Sequence, residues 1–123
     1  MNKISSKSYS AIHFRTERFD TIFLYLSSDC NKEVLRTLEA WIDNKTPTAI
    51  MGDVNSEFSK TCYLNLFLGE KGFQQMIEKA TCDTGSLIDH IYVNQPLKEL
   101  GISVDQSAAY YSDHDIVTLY INK

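Results

Sequence analysis

The chain has 123 residues, a formal net charge of −4, and a composition of 43% hydrophobic and 23% charged residues. This length indicates one domain with a modest core, and the composition excludes a disordered or low-complexity chain. The acidic balance excludes a protein whose affinity comes from a broad basic surface. It is compatible with an enzyme whose site is rich in carboxylates.

The three cysteines, Cys30, Cys62 and Cys82, are widely spaced and form no Cys-x-x-Cys pattern. This favours reduced thiols that act as small, partly buried hydrophobic residues. The N-terminus lacks the pattern of a signal peptide, and no apolar run is long enough to cross a membrane. We therefore expect an intracellular protein, cytoplasmic or nuclear, without a membrane partner.

In chain order, the first elements are two strands. Residues 1–7 are polar and are expected to fray. Residues 8–16 and 19–27 predict an antiparallel hairpin. The second of these strands is apolar on both faces, with Phe23 and Tyr25 on one of them, which is typical of a central strand covered on both sides.

A helix and a third strand follow. Apolar residues recur at helical spacing after the candidate N-caps Asp29 and Asn31, and the helix should end near Asn44, before Pro47. Residues 48–51 then predict a strand. A strand–helix–strand connection of this length predicts a right-handed crossover, so the two strands should be parallel.

The second half of the chain predicts one further helix and several strands, which complete a single sheet. The predicted spans are a helix at 61–70, a short strand at 73–77, a strand at 87–93, a connection at 94–100, and two closing strands at 102–108 and 116–121.

The first candidate for chemistry is the motif Gly52-Asp53-Val54-Asn55, at the end of the third strand. Side chains alternate along an extended chain, so Asp53 and Asn55 should point the same way. They would leave the carboxyl end of a strand, where open α/β sheets bind ligands. Gly52 would allow a sharp turn or a close approach to a ligand. The same four residues are also ordinary turn chemistry.

Two further polar groups interrupt or precede apolar strands. Asp89 and His90 lie inside the strand at 87–93, either at a strand end near water, or as a structural pair, or with Asp89 facing the same end of the sheet as Asp53. In the last case Asp89 would fix the tautomer of an imidazole elsewhere. His114, beside Asp113, is the recipient we expect, although residues 112–115 could also form a plain polar turn.

Together these three stretches resemble the endonuclease/exonuclease/phosphatase superfamily, the metal-dependent phosphodiesterases that include apurinic endonucleases, DNase I-like enzymes and retroelement endonucleases. The stretches are Gly-Asp-Val-Asn at 52–55, Ile-Asp-His-Ile at 88–91 and Ser-Asp-His at 112–114. The segment Phe-Leu-Tyr-Leu at 23–26 also resembles the family strand that leads into the middle helix. The resemblance covers nearly the whole chain and looks most like retrotransposon-type endonuclease domains.

The resemblance implies an α+β or α/β fold that corresponds to the C-terminal half of a DNase I-like four-layer sandwich. Residues 1–123 would form a single partial domain, with one mixed sheet and two main helices on one face. One face of that sheet would be bare, with Phe23, Tyr25, Ile88 and Tyr92 on it. A bare apolar face marks an interaction site, so we expect the chain to associate with itself or to dock on a missing N-terminal half.

The resemblance also implies a role for each matched residue. Asp53 would orient or protonate groups during in-line displacement at phosphorus, and Asn55 would hold a phosphate oxygen. His114 would be the general base or a donor to the phosphate, and Asp89 would orient His114. Tyr25 would lie near the phosphate.

Asp113 would bind or approach Mg²⁺ or Mn²⁺, ions that prefer oxygen ligands. The first half of the family fold, which supplies an asparagine and a glutamate that binds the metal, has no counterpart here, and Glu17 lies in a hairpin turn. Ser28 stands where the family often has asparagine. We therefore expect the metal to bind weakly, while His90, which matches no catalytic position, would be structural.

The function that these features predict is the C-terminal half of a divalent-metal-dependent phosphodiesterase, acting on nucleic acid and with little activity on its own. One alternative is a non-catalytic remnant or interaction module that keeps the fold, favoured by the missing metal ligand and the acidic balance. A further alternative is a relative that acts on phosphoinositides, sphingomyelin or small phosphoesters, since the same motifs would serve all of these.

Overall fold

The computed structural model describes residues 2–5, 9–26, 32–54, 63–77, 87, 89–107 and 114–122. Eight strands and three helices lie within these ranges. In chain order they are β1 (Asn2–Ser5), β2 (Tyr9–Arg15), β3 (Asp20–Leu26), α1 (Lys32–Trp41), β4 (Thr48–Asp53), α2 (Tyr63–Glu70), β5 (Phe73–Gln75), β6 (Asp89–Asn94), α3 (Gln95–Glu99), β7 (Ile102–Ser107) and β8 (Ile116–Ile121).

The main sheet has six strands in the order β1-β2-β3-β4-β6-β5. Strands β2 and β3 form an antiparallel hairpin, and β3 runs parallel to β4, to which α1 connects it. Strand β6 then pairs antiparallel with both β4 and β5. The predicted hairpin, crossover and mixed sheet are therefore confirmed.

Helices α1 and α2 cover one face of this sheet, which we call the helix face. Val34 and Leu38 of α1 and Leu64 and Leu68 of α2 are buried in one cluster with the inward side chains of the strands. Those strand residues include Ala11, Ile22, Leu24, Leu26, Ile50 and Tyr92. The apolar spacing predicted for both helices is thus the spacing that packs them on the sheet.

The opposite side, which we call the outer face, is covered in part. A second buried cluster joins Ala49, Ile91 and Val93 of the main sheet to Leu97 of α3, and inward residues of β7 and β8 pack against it. Strands β7 and β8 pair only with each other among the described strands. They lie as a two-stranded ribbon on the outer face, so the prediction that they close the main sheet is wrong.

Aromatic side chains mark the part of the outer face that stays exposed. Phe14, Phe23 and Tyr25 are 42%, 43% and 51% exposed, and the rings of Phe14 and Phe23 meet edge to face at 6.0 Å. We call these three residues the aromatic patch. Neighbouring strands lie about 4.8 Å apart in any sheet, so the two-stranded ribbon is too narrow to cover the outer face of all six strands of the main sheet. Strand β3 is therefore covered on one face, not on both.

Three further expectations change. Residues 2–5 form the edge strand β1 instead of fraying, because they pair with β2. Tyr92 is 1% exposed on the helix face, not on the bare face. Residues 95–99, expected as a connection, form α3: the Asn94 side chain accepts from the Leu97 N–H at 3.2 Å, and Pro96 lies in the first turn, where its missing N–H does no harm.

None of the helices among the described residues is long and apolar enough to cross a membrane.

Candidate active site

The site begins with a row of side chains across three neighbouring strands. Tyr25 of β3 pairs with Asp53 of β4, and Asp53 pairs with Asp89 of β6. Paired residues in a sheet share a face, and this row lies on the outer face because Met51 and Ile91, two residues along their strands, pack there. The antiparallel pairing of β6 with β4 thus brings the start of one strand to the end of the other.

Gly52 fixes the register of this row. Its φ of +150° is one that other residues rarely adopt, and a Cβ built on it would lie 1.8 Å from the carbonyl oxygen of Leu24 in β3. Any larger residue would force β3 and β4 apart. The glycine therefore serves a close approach between two strands within β4, so the turn expected from the sequence is wrong, while the approach to a ligand stays a prediction.

Asp89 holds an imidazole. Its Oδ2 lies 2.8 Å from Nδ1 of His114. An ionised carboxylate only accepts hydrogen bonds, so Nδ1 carries the proton and Nε2 becomes the ring nitrogen that exchanges protons. The side chains are 28% exposed for His114 and 13% for Asp89. The pair therefore lies at the surface of the fold, within reach of a ligand.

Asp53 adds a second carboxylate to this pair. One oxygen of Asp53, one oxygen of Asp89 and a ring nitrogen of His114 all lie within 4.8 Å of one another. Like charges opposite each other on neighbouring strands destabilise a sheet. Positive charge between Asp53 and Asp89, from a protonated imidazole or a metal ion, would relieve this repulsion. The donor set of two carboxylates and one imidazole suits a divalent ion.

The residues predicted from the sequence therefore divide into two groups. Asp53, Asp89 and His114 lie together, with Tyr25 at the next register position. Asn55 and Asp113, predicted for the phosphate and the metal, lie outside the described residues, as do Ser28 and Ile88. The three cysteines lie outside them as well.

His90, adjacent to Asp89, points the other way. It is fully buried, with Nδ1 2.9 Å from the Tyr92 hydroxyl and Nε2 3.0 Å from the Leu87 carbonyl oxygen. Alternation along β6 places Asp89 on the outer face and His90 on the helix face.

The sequence did not reveal a second histidine–aspartate pair at the other end of β3. His13 Nε2 lies 3.3 Å from Asp20 Oδ2, and Arg15 donates to both carboxylate oxygens of Asp20. Asp20 is 1% exposed, and its hydrogen bond and charge raise the pKa of Arg15. The only signal was Asp20 at the start of an apolar strand, opposite Arg15.

No family model matches the chain, and no curated protein matches it. Solved structures do. The endonuclease domain of TRAS1, a telomere-specific non-LTR retrotransposon, has a TM-score of 0.64 and 20% identity, over 98% of this chain and 67% of that one. An endonuclease/exonuclease/phosphatase family protein from Leptotrichia buccalis has a TM-score of 0.58 and 15% identity, over 94% and 54%.

A mannosyl-6-phosphatase from Bacteroides thetaiotaomicron is similar as well, with a TM-score of 0.51 and 17% identity, over 92% of this chain and 57% of that one. The chain has the fold of endonuclease/exonuclease/phosphatase proteins, which confirms the resemblance read from its motifs. It spans 54 to 67% of the length of these three structures.

Proposed function

We propose that this chain carries the acid–base side of a divalent-metal-dependent phosphodiesterase that cleaves nucleic acid. The observation that carries the proposal is the 2.8 Å hydrogen bond between Asp89 and His114, with Asp53 beside it on the same sheet edge. This arrangement occurs in a fold whose solved examples include a retrotransposon endonuclease and a phosphatase, so its chemistry is expected at a phosphoester.

The roles follow from which atom can hold a proton. Nδ1 of His114 donates to Asp89, so Nε2 is the atom that takes the proton of the attacking water. The water oxygen bonds to phosphorus as the opposite P–O bond breaks. Asp53 orients the reacting groups as an ionised carboxylate, and a water molecule held by it supplies the proton to the leaving oxygen. Asn55 and Tyr25 are proposed to hold the phosphate.

The carboxylates of Asp53 and Asp89 are suitable oxygen donors for Mg²⁺ or Mn²⁺, together with Asp113 as the ligand proposed from the sequence. A divalent ion supplies neutralisation of the phosphate charge and of the charge that develops on the leaving oxygen. We expect weak binding, because the glutamate of the family's first half has no counterpart in this chain.

Mg²⁺-dependent nicking of supercoiled DNA tests the proposal. His114→Ala should lower the nicking rate about 100-fold or more, because a general base contributes roughly 10²- to 10⁴-fold. His13→Ala is the matched control, since His13 also pairs with an aspartate, but that aspartate, Asp20, lies at the opposite end of β3 from Tyr25. Equal background nicking by the chain and by His114→Ala would end the claim of catalysis.

Substrate class is the second part of the proposal. Nucleic acid is favoured by the similarity to the TRAS1 endonuclease domain, whereas the similarity to a mannosyl-6-phosphatase favours a small phosphoester. Comparing the rate of DNA nicking with the rate of hydrolysis of a sugar phosphate distinguishes these two substrate classes. If the chain hydrolyses the sugar phosphate but does not nick DNA, and His114→Ala abolishes this hydrolysis, the chain is a phosphatase and not a nuclease.

The second candidate function is an interaction module without catalysis, and the aromatic patch favours it. Tyr25 lies beside Asp53 in the sheet, Phe23 lies beside Met51, and both aromatic side chains are about half exposed. We propose that further polypeptide covers this patch, as the greater length of the matched structures suggests, and that the chain associates with itself in its absence. Sedimentation should show self-association that Phe23→Ser weakens. A monomer that binds no hydrophobic dye would contradict this.

A further inference from the structure

His90 is buried directly behind the candidate site, and its ring contacts the backbone that leads into Asp89. Nε2 of His90 lies 3.0 Å from the carbonyl oxygen of Leu87, two residues before Asp89. A carbonyl oxygen only accepts, so Nε2 carries the proton and donates it. In the neutral ring Nδ1 then accepts from the Tyr92 hydroxyl, which lies 2.9 Å away. The ring therefore closes a short loop around Asp89.

Among the described strands, β6 is paired at Asp89 on one side only. On the β4 side, pairing continues through Gly52–His90 to Asp53–Asp89. On the β5 side, pairing among the described residues ends at Gln75–Tyr92, and two more bonds reach Ile91: the Met76 N–H donates to its carbonyl oxygen, and its own N–H donates to the Gln75 side chain. At Asp89 itself, the bond from His90 to Leu87 fixes the backbone just beyond that last contact.

The position of Asp89 matters because it sets the position of His114. Asp89 is the first residue of β6, and its carboxylate holds His114 at 2.8 Å. Groups that orient a reacting residue must themselves be held, and small displacements are costly in rate. A histidine that holds the backbone on either side of such a carboxylate is well placed to do this.

We propose that His90 is a positioning residue: its hydrogen bond to Leu87 holds Asp89 in place. Asp89 in turn sets the orientation of His114. The inference rests on the proposed function for its effect on catalysis. Its effect on the Asp89–His114 hydrogen bond can be measured without any activity.

Three substitutions separate the two bonds of the ring. His90→Gln places an amide N–H near the position of Nε2, so it keeps the donor to Leu87 and loses the acceptor for Tyr92. His90→Asn places its amide oxygen near Nδ1, so it keeps the acceptor and loses the donor to Leu87. Tyr92→Phe removes the hydroxyl and leaves the ring and its bond to Leu87, which makes it the matched control for a loss of stability alone.

The primary readout is the ring N–H proton of His114 in NMR spectra of the histidine-labelled chain, assigned with His114→Gln. A hydrogen bond to a carboxylate shifts this proton downfield and slows its exchange with water. We expect the signal to persist in His90→Gln and Tyr92→Phe. In His90→Asn we expect it to be lost, or to exchange about ten times faster.

The second readout is the rate of nicking at a temperature where each variant is folded. We expect a loss of about 10- to 100-fold in kcat for His90→Asn, the usual cost of removing a group that orients a functional residue. Tyr92→Phe should stay within about twofold, although its melting temperature falls. If the chain cleaves no phosphoester, the proposed function is refuted, but the NMR signal still tests the role of His90.

Two results overturn the inference. One is a folded His90→Asn that keeps the His114 signal, because His90 would then be a core residue only. The other is loss of the signal in Tyr92→Phe to the same degree, because general loosening of the core would then be the cause. If His90→Asn does not fold, His90→Gln decides: loss of the signal from its folded form overturns the inference, and persistence supports it.

Discussion

Two histidine–aspartate pairs lie at opposite ends of the main sheet, one at the start of β3 and one at the start of β6, and they differ in what surrounds the carboxylate. Asp20 is buried on the helix face, and Arg15 and His13 both donate to it. Asp89 lies on the outer face, with His114 as its partner and a second carboxylate, Asp53, opposite it. The first carboxylate is neutralised within the protein, whereas the second is left next to more negative charge.

This difference distinguishes a structural pair from the pair that we propose to be reactive. The side chains of His13 and Asp20 are 6% and 2% exposed, and the imidazole of His13 stacks on Trp41 at 5.5 Å. Such a group cannot meet a substrate. The Asp89–His114 pair is partly exposed, and the repulsion between the carboxylates of Asp89 and Asp53 would be relieved by binding a proton or a cation. A hydrogen bond between histidine and aspartate therefore indicates function only together with access to solvent and a second like charge nearby.

The largest effect is expected on stability, from a substitution that forces apart the two strands leading to the candidate site. Gly52→Ala places a Cβ against the Leu24 carbonyl and should destabilise the fold by about 4 kcal/mol or more. Gly69→Ala, where an added Cβ meets nothing within 4 Å, should change stability by less than about 1 kcal/mol. Denaturant unfolding of both variants measures the contrast, and equal stabilities would contradict the role given to Gly52.

The next largest effect is expected on the nicking rate, from a substitution in the Asp89–His114 pair. Asp89→Asn should lower the nicking rate about 10²- to 10⁴-fold, because an amide does not hold the imidazole in the same tautomer. Stability should change by less than about 1 kcal/mol, since the pair is partly exposed and one like charge is removed. Asp115→Asn is the control: Asp115 follows His114 but accepts from Gln106 at 2.8 Å. A similar loss in both variants would refute a specific role for Asp89.

The buried pair should respond in the opposite way. Asp20→Asn should lower the free energy of unfolding by about 2–3 kcal/mol, because the donors of Arg15 and His13 lose a charged acceptor. Its nicking rate per folded molecule should be unchanged. Glu39→Gln, which removes an exposed pair with Lys71, should cost less than about 1 kcal/mol. If Asp20→Asn abolished activity in folded protein, the two ends of β3 would not be independent.

The smallest effect concerns acid stability near the buried pair. The Lys45 backbone N–H donates to Asp43 at 2.9 Å and lowers the pKa of this exposed carboxyl below its usual 3.8. A lowered pKa contributes stability above the unfolded value, and that contribution is lost as the pH falls through the folded value. Asp43→Asn should therefore be slightly less stable than the parent chain at pH 7. The gap should close below about pH 4 in thermal unfolding, and a gap that widened in acid would contradict this sign.

Much of the fold could be predicted from the sequence because the decisive signals are local. Alternation gave the β2–β3 hairpin, helical spacing gave α1 and α2, and the length of the crossover gave the parallel pairing of β3 and β4. The motifs around Asp53, Asp89 and His114 also predicted that these residues lie close together, since the first ends a strand, the second begins one and the third precedes the last strand.

Other features depended on which side of the sheet a residue faces. Tyr92 belongs to the helix face because β6 pairs with β4 in a register that places Asp89, not His90, on the outer face. The β7–β8 ribbon packs on the main sheet through its inward apolar residues, although its strand pattern alone fitted an added pair of strands equally well. The residues around Asp20 gave little signal because Arg15 and His13 are ordinary residues in a half-exposed strand.

By itself, the sequence determined the elements, their order and the polar residues at the strand ends, because periodicity, chain reversals and crossover length are encoded over a few neighbouring residues. The sequence left open whether Asp89 meets His114, 25 positions away, and whether Asp53 lies opposite Asp89, and it gave little sign that Asp20 is neutralised; the tertiary structure decided all three. These outcomes depend on strand register and on the face each strand buries. Packing of distant residues against one another sets both.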